Sequence, residues 1–265
     1  MTDPRLEIVN LRKEFHTGRR TLVALDGASM SLGENEFVSL VGTSGCGKST
    51  LLSIVAGLQE PTDGEVLVDG RPVAGPGRDR GVVFQTYTLF PWLSARGNVE
   101  FALRGEGIGA RERRDTALEN LKLVGLERFA DARPNELSGG MRQRAALCRA
   151  LLCDLPLLLM DEPFGALDAL TRQLMQELLT QVWEQHRLTV LFVTHDVEEA
   201  VYISDRVVVM TNRPGRMKKE VKVNLPRPRS YDMLGSPEFG ALYSEVLDSI
   251  REESIALRDS DAVVS

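Results

Sequence analysis

The nine residues Gly42 to Thr50, GTSGCGKST, constrain this 265-residue chain more than any other stretch. They follow the apolar run EFVSLVG and lead into STLLSIVAGL, where Leu51, Leu52, Ile54, Val55 and Leu58 recur at helical spacing. Strand, glycine loop and helix in that order make a phosphate cradle, because loop N–H groups and the helix N-terminus both face an anion. The spacing Gly42, four residues, Gly47, Lys48, Ser49 adds a lysine for β- and γ-phosphates and a hydroxyl for Mg²⁺. Cys46 within it is either a small spacer or, near a helix N-terminus, a reactive thiol. A chain built around this unit is expected to be α/β.

The remaining periodicity extends that expectation. RLEIVNLRKEF and LVALDGASMSL alternate like strands, and GEVLVDG and GVVFQ follow the first helix, so residues 1–85 read as one mixed sheet. From 86 to 153 no strand pattern occurs, but ARGNVEFALRG, ARERRDTALENLKLVG and SGGMRQRAALCRALLC read as helices, a helical insertion. Strands return with LPLLLMDEP, LTVLFVTHD and RVVVM, separated by the helices DALTRQLMQELLTQVWEQHR and VEEAVYISD, so 154–224 reads as the rest of a parallel sheet flanked by helices. Residues 225–265 read as a linker, LPRPRS, then a closing helix with Phe239, Leu242, Val246 and Ile250 on one stripe, then a loose end.

Composition excludes several classes. Hydrophobic residues make up 43% of the chain, enough for a packed core. The net charge of −6, with both signs interspersed, argues against a nucleic-acid binder that needs a basic face, although an acidic protein can still carry a basic groove. The longest apolar run, LLCDLPLLLM, is interrupted by Asp154 and Pro156 and falls short of the ~20 residues that span a bilayer. Asp3 and Pro4 stand where a signal peptide would be basic and then apolar, so a cytoplasmic chain is expected. Cys46, Cys148 and Cys153 lack paired spacing and suggest neither disulfides nor zinc.

Four further features bear on chemistry. LLLMDEP ends a strand in Asp161 and Glu162; alone that is an ordinary solvated turn, but downstream of a phosphate cradle Asp161 suits the Mg²⁺ shell and Glu162 suits deprotonation of an attacking water. His195, after LTVLFVT, falls at the carboxyl edge of the sheet, where open α/β sheets bind ligands. Gln85, ending GVVFQ, stands where core gives way to helices. In isolation either could be an ordinary surface residue. LSGGMRQR supplies a second helix start rich in glycine, at Ser138, Gly139 and Gly140.

Taken together and in this order, the cradle, Gln85, LSGGMRQR, LLLMDEP, GALD and His195 strongly resemble the ATP-binding-cassette (ABC) ATPases, over residues 6 to about 225. The resemblance implies a P-loop NTPase (RecA-like) core with an N-terminal antiparallel β subdomain and a helical insertion specific to the family. It implies ATP and Mg²⁺ as cofactors: Gly42, Ser44, Gly45, Cys46, Gly47, Lys48, Ser49 and Thr50 around phosphate, Phe15 of RKEF stacking on adenine, and Ser49, Gln85 and Asp161 at the metal. Phe15 could equally be a core aromatic. Glu162, His195 and Gln85 would be catalytic. Two copies would pack head to tail, so that Ser138, Gly139 and Gly140 of one cap the ATP held by the other, with Asp168 communicating across the dimer. Met141 departs from the common glutamine, which is expected to affect subunit contacts more than hydrolysis.

In transporters of this family the insertion carries the docking surface, here TYTLFPWLSARGNVEF, where Tyr87, Leu89, Phe90 and Trp92 are either a groove for a membrane subunit or the insertion's own core. LLLMDEPFGALDALTR, VTHDVEEAVYISDRVVVM, RPGR and LPRPR are most similar to the nitrate, sulfonate and taurine importer group. That resemblance implies two permease subunits, an extracytoplasmic solute-binding protein and a place at the cytoplasmic face of the membrane, without nucleic acid. The segment after Leu225 is shorter than the regulatory barrel of sugar-importer ATPases. The alternative is a soluble cassette ATPase acting on nucleic acid or the ribosome, but such proteins usually carry paired cassettes or long coiled-coil or basic inserts, absent here. A regulatory module without turnover could dispense with Glu162, which is intact.

Overall fold

A computed structural model describes residues 4–18, 20–86, 88–104, 107–152, 155–186 and 188–264. Tyr87 and Cys153 lie outside the described residues. The strands of the first 85 residues divide between two sheets rather than forming one. β1 (Leu6–Thr17), β2 (Arg20–Leu32), β4 (Asp63–Val68) and β5 (Arg71–Pro72) make an antiparallel sheet in the order β2-β1-β4-β5. β3 (Phe37–Val41) and β6 (Arg80–Val83) instead join the second sheet.

That second sheet has the order β10-β9-β3-β8-β7-β6, with β7 at Leu157–Asp161, β8 at Thr189–Val193, β9 at Arg206–Met210 and β10 at Met217–Lys222. β9 through β6 run parallel, and β10 closes one edge antiparallel to β9. β3, β7 and β8 are buried along their whole length, as expected for parallel strands covered on both faces. On one face Val38, Leu40, Leu157, Leu159, Leu191 and Val193 pack with α1 (Lys48–Val55) and the antiparallel sheet. On the other, Phe37, Leu158, Met160, Val190 and Phe192 pack with the helices.

The helical segment contains α2 (Ala95–Ala102), α3 (Ala110–Leu123) and α4 (Gly139–Leu151). Ala95, Val99, Ala117, Leu121 and Ala145 form its fully buried seam. Asn98 is also fully buried, and its side chain accepts from Phe90 N at 2.7 Å and donates to Phe90 O and Ser94 O, pinning the loop that enters α2. α5 (Ala169–His186) and α6 (Val197–Ile203) connect the last parallel strands. The closing helix, α7 (Pro237–Val264), seats Phe239 and Val246 in the core. It continues through the end expected to be loose, a stretch free of glycine and proline.

The order β3-β8-β7-β6 decides where chemistry can occur. It brings the carboxyl ends of four strands side by side, so Gly42, Thr194, Glu162 and Phe84 begin adjacent loops at one sheet edge.

Candidate functional site

At that edge the cradle closes around Lys48. Gly47 caps α1 with a φ of 109°, and a Cβ there would stand 2.8 Å from Leu25 Cδ2 and 3.0 Å from Ala24 O, so only glycine fits against β2. Lys48 is 7% exposed, and its Nζ donates to Gly42 O at 2.8 Å and Thr43 O at 3.0 Å. The ammonium is thus held within the loop by carbonyls, without a carboxylate partner among the described ion pairs, as a site for an incoming anion requires. Cys46 is 1% exposed and its Sγ lies 3.7 Å from Lys48 Nζ, a packed position that favours the spacer reading over a reactive thiol. Ser44, Gly45, Ser49 and Thr50 complete the rim of a cleft of about 250 Å³.

The cleft's outer wall comes from the antiparallel sheet. Phe15 and Leu22 are cross-strand partners of β1 and β2 and both line it, with Lys13 Nζ 5.3 Å from the Phe15 ring centre. Phe15 is therefore a cleft residue and not a core aromatic. Arg213, noted in the sequence only as part of RPGR and given no site role there, lines the same cleft and donates through Nε and Nη2 to Gly45 O at 3.2 and 3.0 Å.

The acidic pair follows β7. Asp161 is 8% exposed and pairs in register with Val193, and Ser49 Oγ donates to its Oδ1 at 3.1 Å. Burial pushes its carboxyl above the ordinary range, and the Ser49 hydrogen bond opposes that shift. A serine hydroxyl and a buried carboxylate side by side fit two oxygen positions of a Mg²⁺ shell, the rest of which would fall to phosphate and water.

Glu162 takes a left-handed φ of 46°, which turns its side chain out of the strand direction while its N–H still donates to Val193 O at 2.8 Å. Its Oε1 lies 3.1 Å from His195 Nδ1, and its Oε2 accepts from Gln85 Nε2 at 3.2 Å. The residues picked from three separate strand ends thus meet on one carboxylate. Gln85 touches this carboxylate, and its described hydrogen bond is not with Asp161 or Ser49.

Ser138 caps α4, its Oγ accepting from Met141 N at 3.2 Å, and leaves the first N–H groups of the helix directed at whatever lies beyond. Gly140 packs tightly on the following loop: a Cβ would meet Leu167 Cδ2 at 3.2 Å. Gln143, buried in α4 and unremarked in the sequence, bridges to the acidic loop, donating to Glu162 O at 3.4 Å and accepting from Ala166 N at 3.3 Å. Asp168 accepts from Thr171 N and Thr171 Oγ1 at the start of α5, and those bonds lower its pKa. Near the neighbouring α2 lie Leu89, buried, and Phe90, half-buried, whose ring contacts the exposed Trp92 (69%) and Phe101.

Comparison with known proteins identifies relatives of this chain. The family model for ABC transporters matches residues 25–165. An uncharacterized ABC transporter ATP-binding protein of Methanocaldococcus jannaschii is 50% identical over 94% of this chain and 92% of its own length. The nitrate import ATP-binding protein NrtD of Synechocystis is 48% identical over 93% of this chain and 95% of its own. The bicarbonate transport ATP-binding protein CmpC of Synechococcus elongatus is 45% identical over 93% of this chain, a match that spans 38% of that protein. An ATP-binding cassette solved as a dimer in a post-hydrolysis state with ADP and Pi superposes with a TM-score of 0.75 at 37% identity, over 83% of this chain and all of that one. Among the described residues no helix is long and apolar enough to cross a membrane. With a phosphate cradle, a carboxylate held by Gln85 and His195, and these relatives, the chain belongs to the ABC transporter family and is an ATPase of it.

Proposed function

We infer that this ATPase powers import of a small solute, with nitrate, a sulfonate or taurine, or a related small solute as cargo. The support is the likeness to relatives named for nitrate import and bicarbonate transport. The observation that carries the catalytic part is the placement of Glu162 between Gln85 and His195, beside the Ser49–Asp161 pair.

In this reading Phe15 stacks on the adenine with Leu22 making apolar contact beside it, and the loop N–H groups of 42–49 with Lys48 hold the β- and γ-phosphates. Ser49, Asp161 and Gln85 hold Mg²⁺, which when bound neutralises charge on the phosphate oxygens. Glu162 accepts a proton from the attacking water, and His195 and Gln85 fix the orientation of its carboxylate. Ser138, Gly139 and Gly140 act in trans, closing over ATP held by the second copy, with Asp168 at the seam. The dimeric form of the solved relative supports that arrangement. ATP that binds only the closed dimer shifts the population toward closure, and hydrolysis releases it. Exposed Trp92 and Phe101, packed on half-buried Phe90, are the surface offered to the membrane subunits. On this account the residues divide into a core in two parts, 1–85 and 154–224, a helical subdomain at 86–153, and a C-terminal segment at 225–265. The protein works at the cytoplasmic face of the membrane with two permease subunits and, through them, an extracytoplasmic solute-binding protein.

Co-purification tests the assignment. The tagged chain, expressed with its chromosomal neighbours and extracted in mild detergent, is expected to bring down an integral membrane protein in near-equal amount. Recovery of ribosomes or nucleic acid instead would keep the ATPase and overturn the importer.

A further inference from the structure

The cradle is braced from behind by a segment that the ATPase chemistry does not use. The turn of residues 211–216, between β9 and β10, presses on it at three points. Arg213 holds Gly45 O. Gly215 N donates to Ala24 O at 2.9 Å, and the backbone passes so close that a Cβ on Gly215 would stand 2.1 Å from Cys46 O. Thr43 Oγ1 donates to Asn212 Oδ1.

Asn212 is in turn held by α7. Its backbone N donates to Glu253 Oε2 at 2.9 Å, and its Nδ2 donates to Glu253 O. Glu253 is fixed by Lys218 of β10, whose Nζ lies 2.8 Å from Glu253 Oε1 and 2.9 Å from Glu252 Oε2 and also donates to Ser249 O. One amide group therefore spends its oxygen on the cradle and its nitrogen on the C-terminal helix. Thr43 closes the relay, since its carbonyl receives Lys48 Nζ while its hydroxyl goes to Asn212. A shift of α7 on β10 either breaks these hydrogen bonds or carries with it Asn212 and, through it, Thr43, which faces the cradle lysine.

We propose that Asn212 and Glu253 are positioning residues that couple the seating of α7 to the shape of the phosphate loop, and so set the affinity for nucleotide. The inference rests on reading residues 42–50 as the ATP cradle. Because each link is one or two hydrogen bonds, breaking it is expected to weaken ATP binding about 2- to 10-fold.

The test uses the full chain and titrates a fluorescent ATP analogue, alongside KM and kcat for MgATP hydrolysis and thermal unfolding. Asn212→Asp keeps an oxygen for Thr43 but sets carboxylate charge against Glu253, and Glu253→Ala removes the acceptor for Asn212 N. Each is expected to weaken binding and raise KM by the stated factor while kcat changes less. Glu253→Gln retains an acceptor oxygen and is expected to restore most of the loss. In a double-mutant cycle, Thr43→Val and Glu253→Ala are expected to be less than additive. Additive effects, or unchanged affinity with only a lower Tm, would overturn the coupling. If Asn212→Asp does not fold, the Glu253 variants and the cycle decide. Lys48→Ala run in parallel separates the two claims: unchanged ATP affinity there removes the cradle reading itself, whereas loss of binding there with no effect at Asn212 and Glu253 removes only the relay.

Discussion

His195 Nδ1 lies 3.1 Å from Glu162 Oε1, joining the carboxyl ends of β8 and β7 across their parallel pairing. The contact depends on the left-handed turn at Glu162, since a continued strand would direct that side chain into a sheet face. A carboxylate aimed this way, with Gln85 on its other oxygen, is the arrangement expected of a base that must be held still.

Glu162→Gln is therefore expected to bind MgATP with little change but to lower kcat about 10²- to 10⁴-fold, the range a positioned general base contributes. Steady-state phosphate release measures it. Turnover within a few-fold of the unsubstituted protein would remove Glu162 from the chemistry.

The approach of Gly215 to the cradle gives a stability prediction. Gly215→Ala places a methyl 2.1 Å from Cys46 O, a backbone atom, so the turn or the loop must move. A cost of about 1–3 kcal/mol is expected, seen as a fall in Tm of several degrees. Gly240→Ala, in α7 with open space around its Cβ, is the control and is expected to stabilise by up to about 1 kcal/mol through helix propensity. Equal Tm changes for the two would contradict the close-contact argument.

Glu199 in α6 gives a pH prediction. Burial pushes its carboxyl up to about 7, against hydrogen bonds from Thr194 and from Gln176, whose Nε2 donates at 2.8 Å; Asp196 raises it further and Arg172 opposes. Below the unfolded value of about 4.5 both states hold the proton and the residue costs nothing. As pH rises from there to about 7 the unfolded chain loses its proton first, so stability falls, by up to about 3 kcal/mol, and is level above. Glu199→Gln is expected to flatten that decline, so that its stability relative to the parent rises between pH 5 and pH 8. Parallel Tm profiles across that range would refute the buried-acid account.

What the sequence made legible follows from which physical signals are local. The cradle, the helix after it and the strand FVSLV are encoded in adjacent residues and fold as read. Sheet membership is not legible in periodicity, which marks a strand without naming its neighbours; the separate antiparallel sheet follows only from the family resemblance. The difference was nevertheless present, since β3 is apolar throughout while β2 alternates in burial along its second half. β10 went unread because MKKEVK is a polar edge strand in which only Val221 is buried. Glu162, His195 and Gln85 were chosen as strand-end residues, and the strand order brings them together. Asn212, Arg213 and Gly215 carry no periodic signal, and their partners Thr43 and Gly45 lie far away in sequence. Their one local mark is an Asn-Arg-Pro-Gly turn after a strand that borders the cradle. Asn98 and Gln143 are likewise polar residues at helical core positions, whose meaning appears only with their distant loops in place.

The central claim is that one chain carries two halves of an ATP site that only a second copy can complete. Sedimentation of the Glu162→Gln protein with MgATP tests it most directly, because blocked hydrolysis preserves the closed state. The account predicts an ATP-dependent dimer that disappears when Ser138→Arg is added, although that double variant still binds ATP as a monomer. A dimer that persists through Ser138→Arg, or no ATP-dependent dimer at all, would contradict it.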